Sequence, residues 1–335
     1  MAITIKDIAR ESGYAVGTVS RVLNNRPDVS DTAREKIMEV VNKYNFRINN
    51  NAKHLKQRAG TAIAIIVKGS NNMLFASMME QLQNDIEDRG YECLIYYLNE
   101  TENEVEHAIQ VCNDRKPMGI LFLGSNHQVF QQQFSNIDIP CVLVTNSGES
   151  LNYSNLSSVS TDDAEAAKAA VDYLIKLGHR KIGVLGGHLD GPVAASRLKG
   201  CKLAFSENNL EFDSDLQYEP SMFVMSHGYK AMEKLLDRIP DITAVFAMSD
   251  VMALGAMRAV RDRGLRIPED ISIVGFDGIE LTEYLITRLT TVRQNREEIA
   301  KRSIEILMEK IRDNSNAVHE LIPFRLIAGE STKPL

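Results

Sequence analysis

The residues best suited to chemistry crowd into the first sixty. In TIKDIARESGYAVGTVSRVLNN, residues 4–25, Val19 and Val22 recur at the spacing of one helix face. That places Val16, Gly17, Thr18, Ser20 and Arg21 where they can face a groove. The first residues of such a helix reach base edges, while hydroxyls and backbone N–H groups donate to phosphate oxygens. The Arg21 guanidinium is the best candidate for a bidentate contact to guanine. Residues 43–58 add five basic side chains (Lys43, Arg47, Lys53, Lys56 and Arg58) with no acidic one, which suits a phosphate backbone. Catalytic patterns are missing: there is no Walker A sequence, no G-x-S-x-G and no metal-ligand spacing. GVLGGHLDG lacks the acidic partner and spacing of a dinucleotide fingerprint. We therefore expect no enzyme activity, no cofactor and no metal.

Charge supports the division. Residues 1–60 carry 11 Lys+Arg against 6 Asp+Glu, a net +5, while the remainder carries 27 against 39, a net −12, which together make the formal −7. A basic head on an acidic body suits a head that meets phosphate and a body that does not. With 335 residues, 44% hydrophobic and 25% charged, the chain reads as a globular protein of more than one domain. No apolar run spans a bilayer, and the start MAITIKDIAR has no signal core, so we expect no membrane association and no export. Cys93, Cys112, Cys141 and Cys201 are scattered and form no C-x-x-C pair. They read as reduced thiols in a cytoplasmic protein.

The elements that must position these residues follow from periodicity. Thr4 can cap a helix over 5–12 with Ile5, Ile8 and Ala9 on one face, and Gly13 breaks it. A second helix covers 16–23, burying Val19, Val22 and Leu23. Ser30 caps a third, carrying Ile37, Val40, Val41 and Tyr44. Two short helices across a glycine turn, closed by a third, make a helix-turn-helix. From Thr61 the rhythm changes to apolar strands at 63–67, 93–98, 119–123, 141–145, 182–185, 244–248 and 271–275. Amphipathic stretches such as 75–89, 162–177, 226–237 and 250–263 separate most of them, which predicts parallel sheets. The stretch NFRINNNAKHLKQRAG, residues 45–60, fits neither rhythm and reads as a linker.

Thr4-Ile5-Lys6-Asp7-Ile8-Ala9, Gly13 and the run Thr18 to Asn24 together resemble the head of the LacI/GalR family of bacterial regulators. The resemblance implies a DNA-reading surface made of Thr4, Val16, Gly17, Thr18, Ser20, Arg21 and Asn24. Val16 and Gly17 match positions that read operator sequence, which implies a head that senses a thymine methyl at one position and reads weakly at the next. Ala15 stands where the family usually has a capping serine, and Gly17 weakens the helix it sits in. Ala52-Lys53-His54-Leu55-Lys56 looks like the family's hinge helix. Leu55 is then either a minor-groove wedge or an ordinary linker leucine covering the body. Ile48 replaces the proline common before that helix.

The resemblance extends through SDVMALGAMRAV, IPEDISIVGFDG, RLTTVRQ and LIKLGHRKIGVLGG. It implies a periplasmic-binding-protein-like body of two doubly wound, parallel-sheet α/β lobes joined by three crossovers. The expected divisions are 1–46 for the helix-turn-helix, 47–60 for the hinge and 61–335 for the effector and dimerisation domain. Within the body, one lobe takes about 61–160 and 292–320, the other about 161–291 and 321–335. Ligands of parallel sheets sit at the carboxyl ends of strands. Asp162, Ser249 and Asp277 fall at such ends, family correspondence places Arg197 and Asp277 at effector-binding positions, and Gln294 is a further candidate. Asp277 can instead be a turn residue capping a helix, and Arg197 a surface ion-pair partner. Phe75, placed in the loop after the first strand, is either an apolar wall of the site or core. His179 falls in a helix-to-strand turn and Asp250 at a helix start, so neither reads as catalytic. Ser249 and Gly278 replace a frequent asparagine and aspartate, and Gly329 a frequent arginine. The implied protein is a homodimeric DNA-binding repressor of operator DNA, controlled by a small sugar or sugar derivative. Control by a protein partner or a phosphometabolite is the alternative. No leucine heptads follow the body, so the expected assembly is a dimer.

Overall fold

The computed structural model describes residues 5–23, 29–44, 61–69, 72–187, 189, 191–313 and 315–335. It divides into two compact units, Met1–Ala59 and Gly60–Leu335.

The first unit holds three helices, Ile5–Ser12, Val16–Leu23 and Asp31–Lys43. Gly13 turns the chain between the first two with φ +73°, a conformation that costs glycine no Cβ clash. The second helix starts on the backbone: the Ala15 carbonyl accepts from the N–H groups of Thr18 (2.9 Å) and Val19 (3.1 Å). Ile8, Ala9, Val19, Val22, Ala33, Ile37 and Val41 form a small core, with Val40 and Tyr44 at its margin. Each fully buried Ile or Val contributes roughly 1.5–3 kcal/mol, so this head rests on a handful of side chains. Tyr44 ties the third helix back to the first by donating its hydroxyl to Glu11 Oε2 at 3.0 Å. Thr4, expected to cap the first helix, lies outside the described residues, as do the side chains of Ile5 and Leu23.

The second unit contains two six-stranded sheets. The strands are β1 (Ala62–Lys68), β2 (Glu92–Leu98), β3 (Gly119–Leu123), β4 (Cys141–Val144), β5 (Leu156–Ser160), β6 (Ile182–Gly187), β7 (Tyr218–Ser221), β8 (Ala244–Ala247), β9 (Ser272–Asp277), β10 (Thr290–Arg293), β11 (His319–Leu321) and β12 (Arg325–Ile327). The orders are β11-β5-β4-β3-β1-β2 and β12-β10-β9-β8-β6-β7. Within these sheets β12 alone runs antiparallel to its neighbour.

Apolar runs such as IAIIV form the central strands because helices cover both faces. In β1, Ile63, Ile65 and Val67 pack on the side of helices Met73–Asp88 and Arg296–Asp313, through Leu74, Met78, Ile304 and Leu307. Ala62, Ala64 and Ile66 point the other way, toward Val105, Ala108 and Phe130. The second sheet repeats the plan. Ile182, Val184 and Phe246 meet helices Asp163–Lys176 and Pro192–Glu207 on one face, and Leu185, Val245 and Ala247 meet Met232, Ala253 and Ala256 on the other.

The chain passes between the sheets after Ser160, after Arg293 and after Leu321. Val292 and Arg293 thus pair in the second sheet and Leu321 in the first. Strands β7, β10, β11 and β12 escape an apolar-run reading because YEPS, TTVR, HEL and RLI are short and partly polar. Among the described residues no helix is long and apolar enough to cross a membrane. All four cysteines are free thiols.

Candidate functional site

The carboxyl ends of both sheets face a cleft of about 450 Å³, within the range of small-molecule sites. The second lobe contributes a charged cluster. Strand β9 ends at Asp277, where φ is +117°, a left-handed backbone that bulky residues avoid. Its carboxylate accepts from Gln294 Nε2 at 2.9 Å, just beyond β10. Helix Pro192–Glu207 brings in Arg197, which is 5% exposed. Its Nε donates to Asp163 Oδ1 at 2.7 Å, and Nη2 stands 3.9 Å from Asp277 Oδ1. The guanidinium also donates to the Met248 carbonyl and lies 3.5 Å over the Phe276 ring.

Burial pushes the Asp277 carboxyl up to about 6, with Arg197 and Gln294 pulling it back. Asp163 is raised for the same reason, again opposed by Arg197. Beneath them Asp250 is fully buried and raised well above the usual carboxylate range, by burial first and then by the charge of Asp277. It accepts from Thr291 Oγ1 at 2.6 Å and from the Ile279 N–H at 2.9 Å. That pins the turn carrying Asp277 to β10, so Asp250 braces the site from behind.

The first lobe supplies mostly neutral polar groups from the loops after its strands: Ser125, Asn126, Thr145 and Asn146, with Phe75 as apolar wall. Lys68 ends β1 at the cavity, and its Nζ donates to Glu104 Oε2 at 2.6 Å. Glu104 is fully buried, and its other oxygen accepts the Asn126 N–H at 2.6 Å.

Of the residues expected to bind effector, Phe75, Arg197, Ser249, Asp277 and Gln294 converge on this cleft. Ser249 also caps helix Asp250–Asp262, accepting from the Met252 N–H at 3.3 Å. Phe75 requires a correction: it sits in the first turn of helix Met73–Asp88 rather than in a loop, where it both packs the core and lines the cavity. Asp162 is a second correction. Its carboxylate caps helix Asp163–Lys176, accepting from the N–H groups of Ala164 (3.1 Å) and Glu165 (3.0 Å), and it does not line the cleft. Asp163 makes the Arg197 contact instead. Sequence reading missed Asp163, Lys68 and Glu104; the first had a signal, as the second aspartate of a pair after β5, and the other two, 36 residues apart, had none.

His179 is structural, its Nδ1 paired with Thr243 Oγ1 at 3.0 Å and its Nε2 with the Lys333 carbonyl at 3.1 Å. Gly329 has a steric reason: a Cβ there would stand 2.4 Å from the Arg288 carbonyl oxygen. Among the described residues no group of three His, Cys, Asp or Glu could hold a metal.

On the head, Val19 and Val22 are buried, while Val16, Gly17 and Arg21 are exposed and Thr18 half-buried. Val16, Gly17 and Arg21 thus lie on the exposed side of this helix. Thr4, Asn24, Ala52, Lys53, Leu55, Lys56 and the side chain of Ser20 lie outside the described residues.

Residues 4–49 match the family described as bacterial regulatory proteins, lacI family, and residues 171–332 match a periplasmic binding protein-like domain. The chain is 38% identical over 333 residues to the HTH-type transcriptional regulator MalR of Clostridium butyricum, covering 98% of this chain and 99% of that one. It is 32% identical over 312 residues to the HTH-type transcriptional repressor PurR of Aliivibrio salmonicida, covering 92% of each. Among solved structures it resembles the transcriptional regulator CelR in complex with cellobiose, with a TM-score of 0.73, 26% identity and coverage of 98% and 100%.

Proposed function

Because the chain belongs to the lacI family of bacterial regulatory proteins and is thus a DNA-binding transcriptional regulator rather than an enzyme, we propose that it is a cytoplasmic, dimeric repressor whose operator affinity is set by a small sugar or sugar derivative held between its two lobes. The observation that carries the effector reading is the Arg197, Asp277 and Gln294 cluster, buried at one wall of the cleft. A guanidinium fork and a carboxylate can each span adjacent hydroxyls, and a carboxamide both donates and accepts. Phe75 offers an apolar surface for the C–H face of a sugar ring.

Control follows from linkage. The sugar must bind the DNA-competent and DNA-incompetent forms with different affinity, since equal affinity shifts nothing. At the operator, Arg21 reads a guanine, Val16 meets a thymine methyl, Thr18 and Ser20 contact phosphate, and Leu55, flanked by Lys53 and Lys56, wedges the minor groove. Two such heads in a dimer read a near-palindromic site.

A thermal-shift screen of the full chain with sugars, sugar phosphates and nucleobases tests the effector reading. Sugars raising the melting temperature, with loss of that response in Arg197→Ala, support it. A response to nucleobases alone, or to no small molecule, overturns it.

A further inference from the structure

Among the described residues that line the cleft, Lys68 and Arg197 are the basic ones, and each already has a carboxylate partner. Lys68 Nζ is held by Glu104 at 2.6 Å, with the lysine side chain 13% exposed and the glutamate fully buried. Arg197 is held by Asp163 at 2.7 Å, and its Nη2 lies 3.9 Å from Asp277. Glu100 adds an acidic side chain to the cavity wall. Carboxylates therefore outnumber cations around this cavity. A phosphate or carboxylate entering here would find Lys68 engaged by Glu104 and Arg197 by Asp163, so taking either cation for itself would mean breaking a buried ion pair, and it would meet Asp277 or Glu100 as like charges. Breaking a buried pair leaves an uncompensated charge behind, which is costly. Hydroxyl groups face no such conflict, because they donate to the carboxylates and accept from the guanidinium and amides as these stand.

We propose that the cleft selects an uncharged sugar and rejects its phosphorylated or acidic derivatives, with Glu104 as the residue that sets this selectivity by neutralising Lys68. The inference rests on the sugar reading above. Glu104 acts through Lys68 and the Asn126 backbone and is thus a positioning residue. Glucose, glucose 6-phosphate and glucuronate, ribose and ribose 5-phosphate, and cellobiose test this by calorimetric titration of the full-length protein at pH 7. The expected result is that a neutral member binds and its charged counterpart binds at least about tenfold more weakly. In Glu104→Gln the freed Lys68 narrows that gap, because the phosphate ester gains affinity relative to the neutral sugar. The wild-type comparison stands even where Glu104→Gln fails to fold. Charged members binding as tightly as neutral ones, or a gap unchanged in folded Glu104→Gln, overturns the charge inference and leaves the sugar reading intact. If no member of any set binds, the sugar reading falls and this inference with it.

Discussion

Replacing Asp277 with asparagine should make the empty protein more stable and deaf to its effector. The carboxyl rises from an ordinary value near 3.8 to about 6, mainly because burial strips its ionised form of water. Its folded-state value lies above the unfolded one, so between those two pH values the native state holds the extra proton. Stability then falls as pH rises through that window. At pH 7 the ionised group costs about 3 kcal/mol relative to a neutral one, and at pH 5 about half of that. The Asp277→Asn side chain would keep a carbonyl to accept from Gln294, and asparagine tolerates the positive φ better than most residues. Arg197 retains Asp163. Urea denaturation of the full-length protein without DNA or sugar, followed by far-UV circular dichroism, reads the difference for the body. The variant should gain about 3 kcal/mol at pH 7 and visibly less at pH 5. A variant no more stable than the parent at pH 7, or one whose gain ignores pH, refutes the claim that a buried ionised carboxylate is held here at a cost.

Three other outcomes are open to measurement. Leu55→Ala should weaken operator binding by about tenfold and reduce DNA bending in an electrophoretic bending assay, while sugar binding persists; unchanged bending means the hinge assignment is wrong. Gly17→Ala should stabilise the head by about 0.5–1 kcal/mol, since an added Cβ meets nothing within 4 Å; amide exchange in the three head helices would show slower opening, and no slowing defeats the argument. Gly329→Ala should destabilise the body by about 1–3 kcal/mol through the clash with the Arg288 carbonyl, and an unaltered melting temperature would show that the loop yields freely.

Both the helix-turn-helix and the central strands were legible because their signals are local. Val19 and Val22 mark a buried face within one helix, and IAIIV or GILFL must be a strand covered on both sides. The edges were harder. In β12, Arg325–Ile327, only three residues pair, and their partner lies more than thirty positions earlier at Thr291–Arg293. Within the site, Arg197 and Asp277 came from the resemblance, and the geometry gives their physical context. Asp162 and Asp163 show the limit of spacing arguments: adjacent aspartates after one strand diverge, the first turning back to cap its helix, the second reaching Arg197. Pairing of Lys68 with Glu104 joins a strand end to a helix start, and nothing in the order of residues announces it.

The three passages between the sheets have a consequence in time. The head owns its core by Tyr44, whereas the first sheet waits for His319–Leu321 and the second for Arg325–Ile327. At ordinary ribosomal speeds of roughly 5–20 residues per second, tens of seconds separate the two events. During that interval a nascent chain carries a finished helix-turn-helix head attached to an unfinished body, and a message broken before the codon for His319 would leave that state permanent.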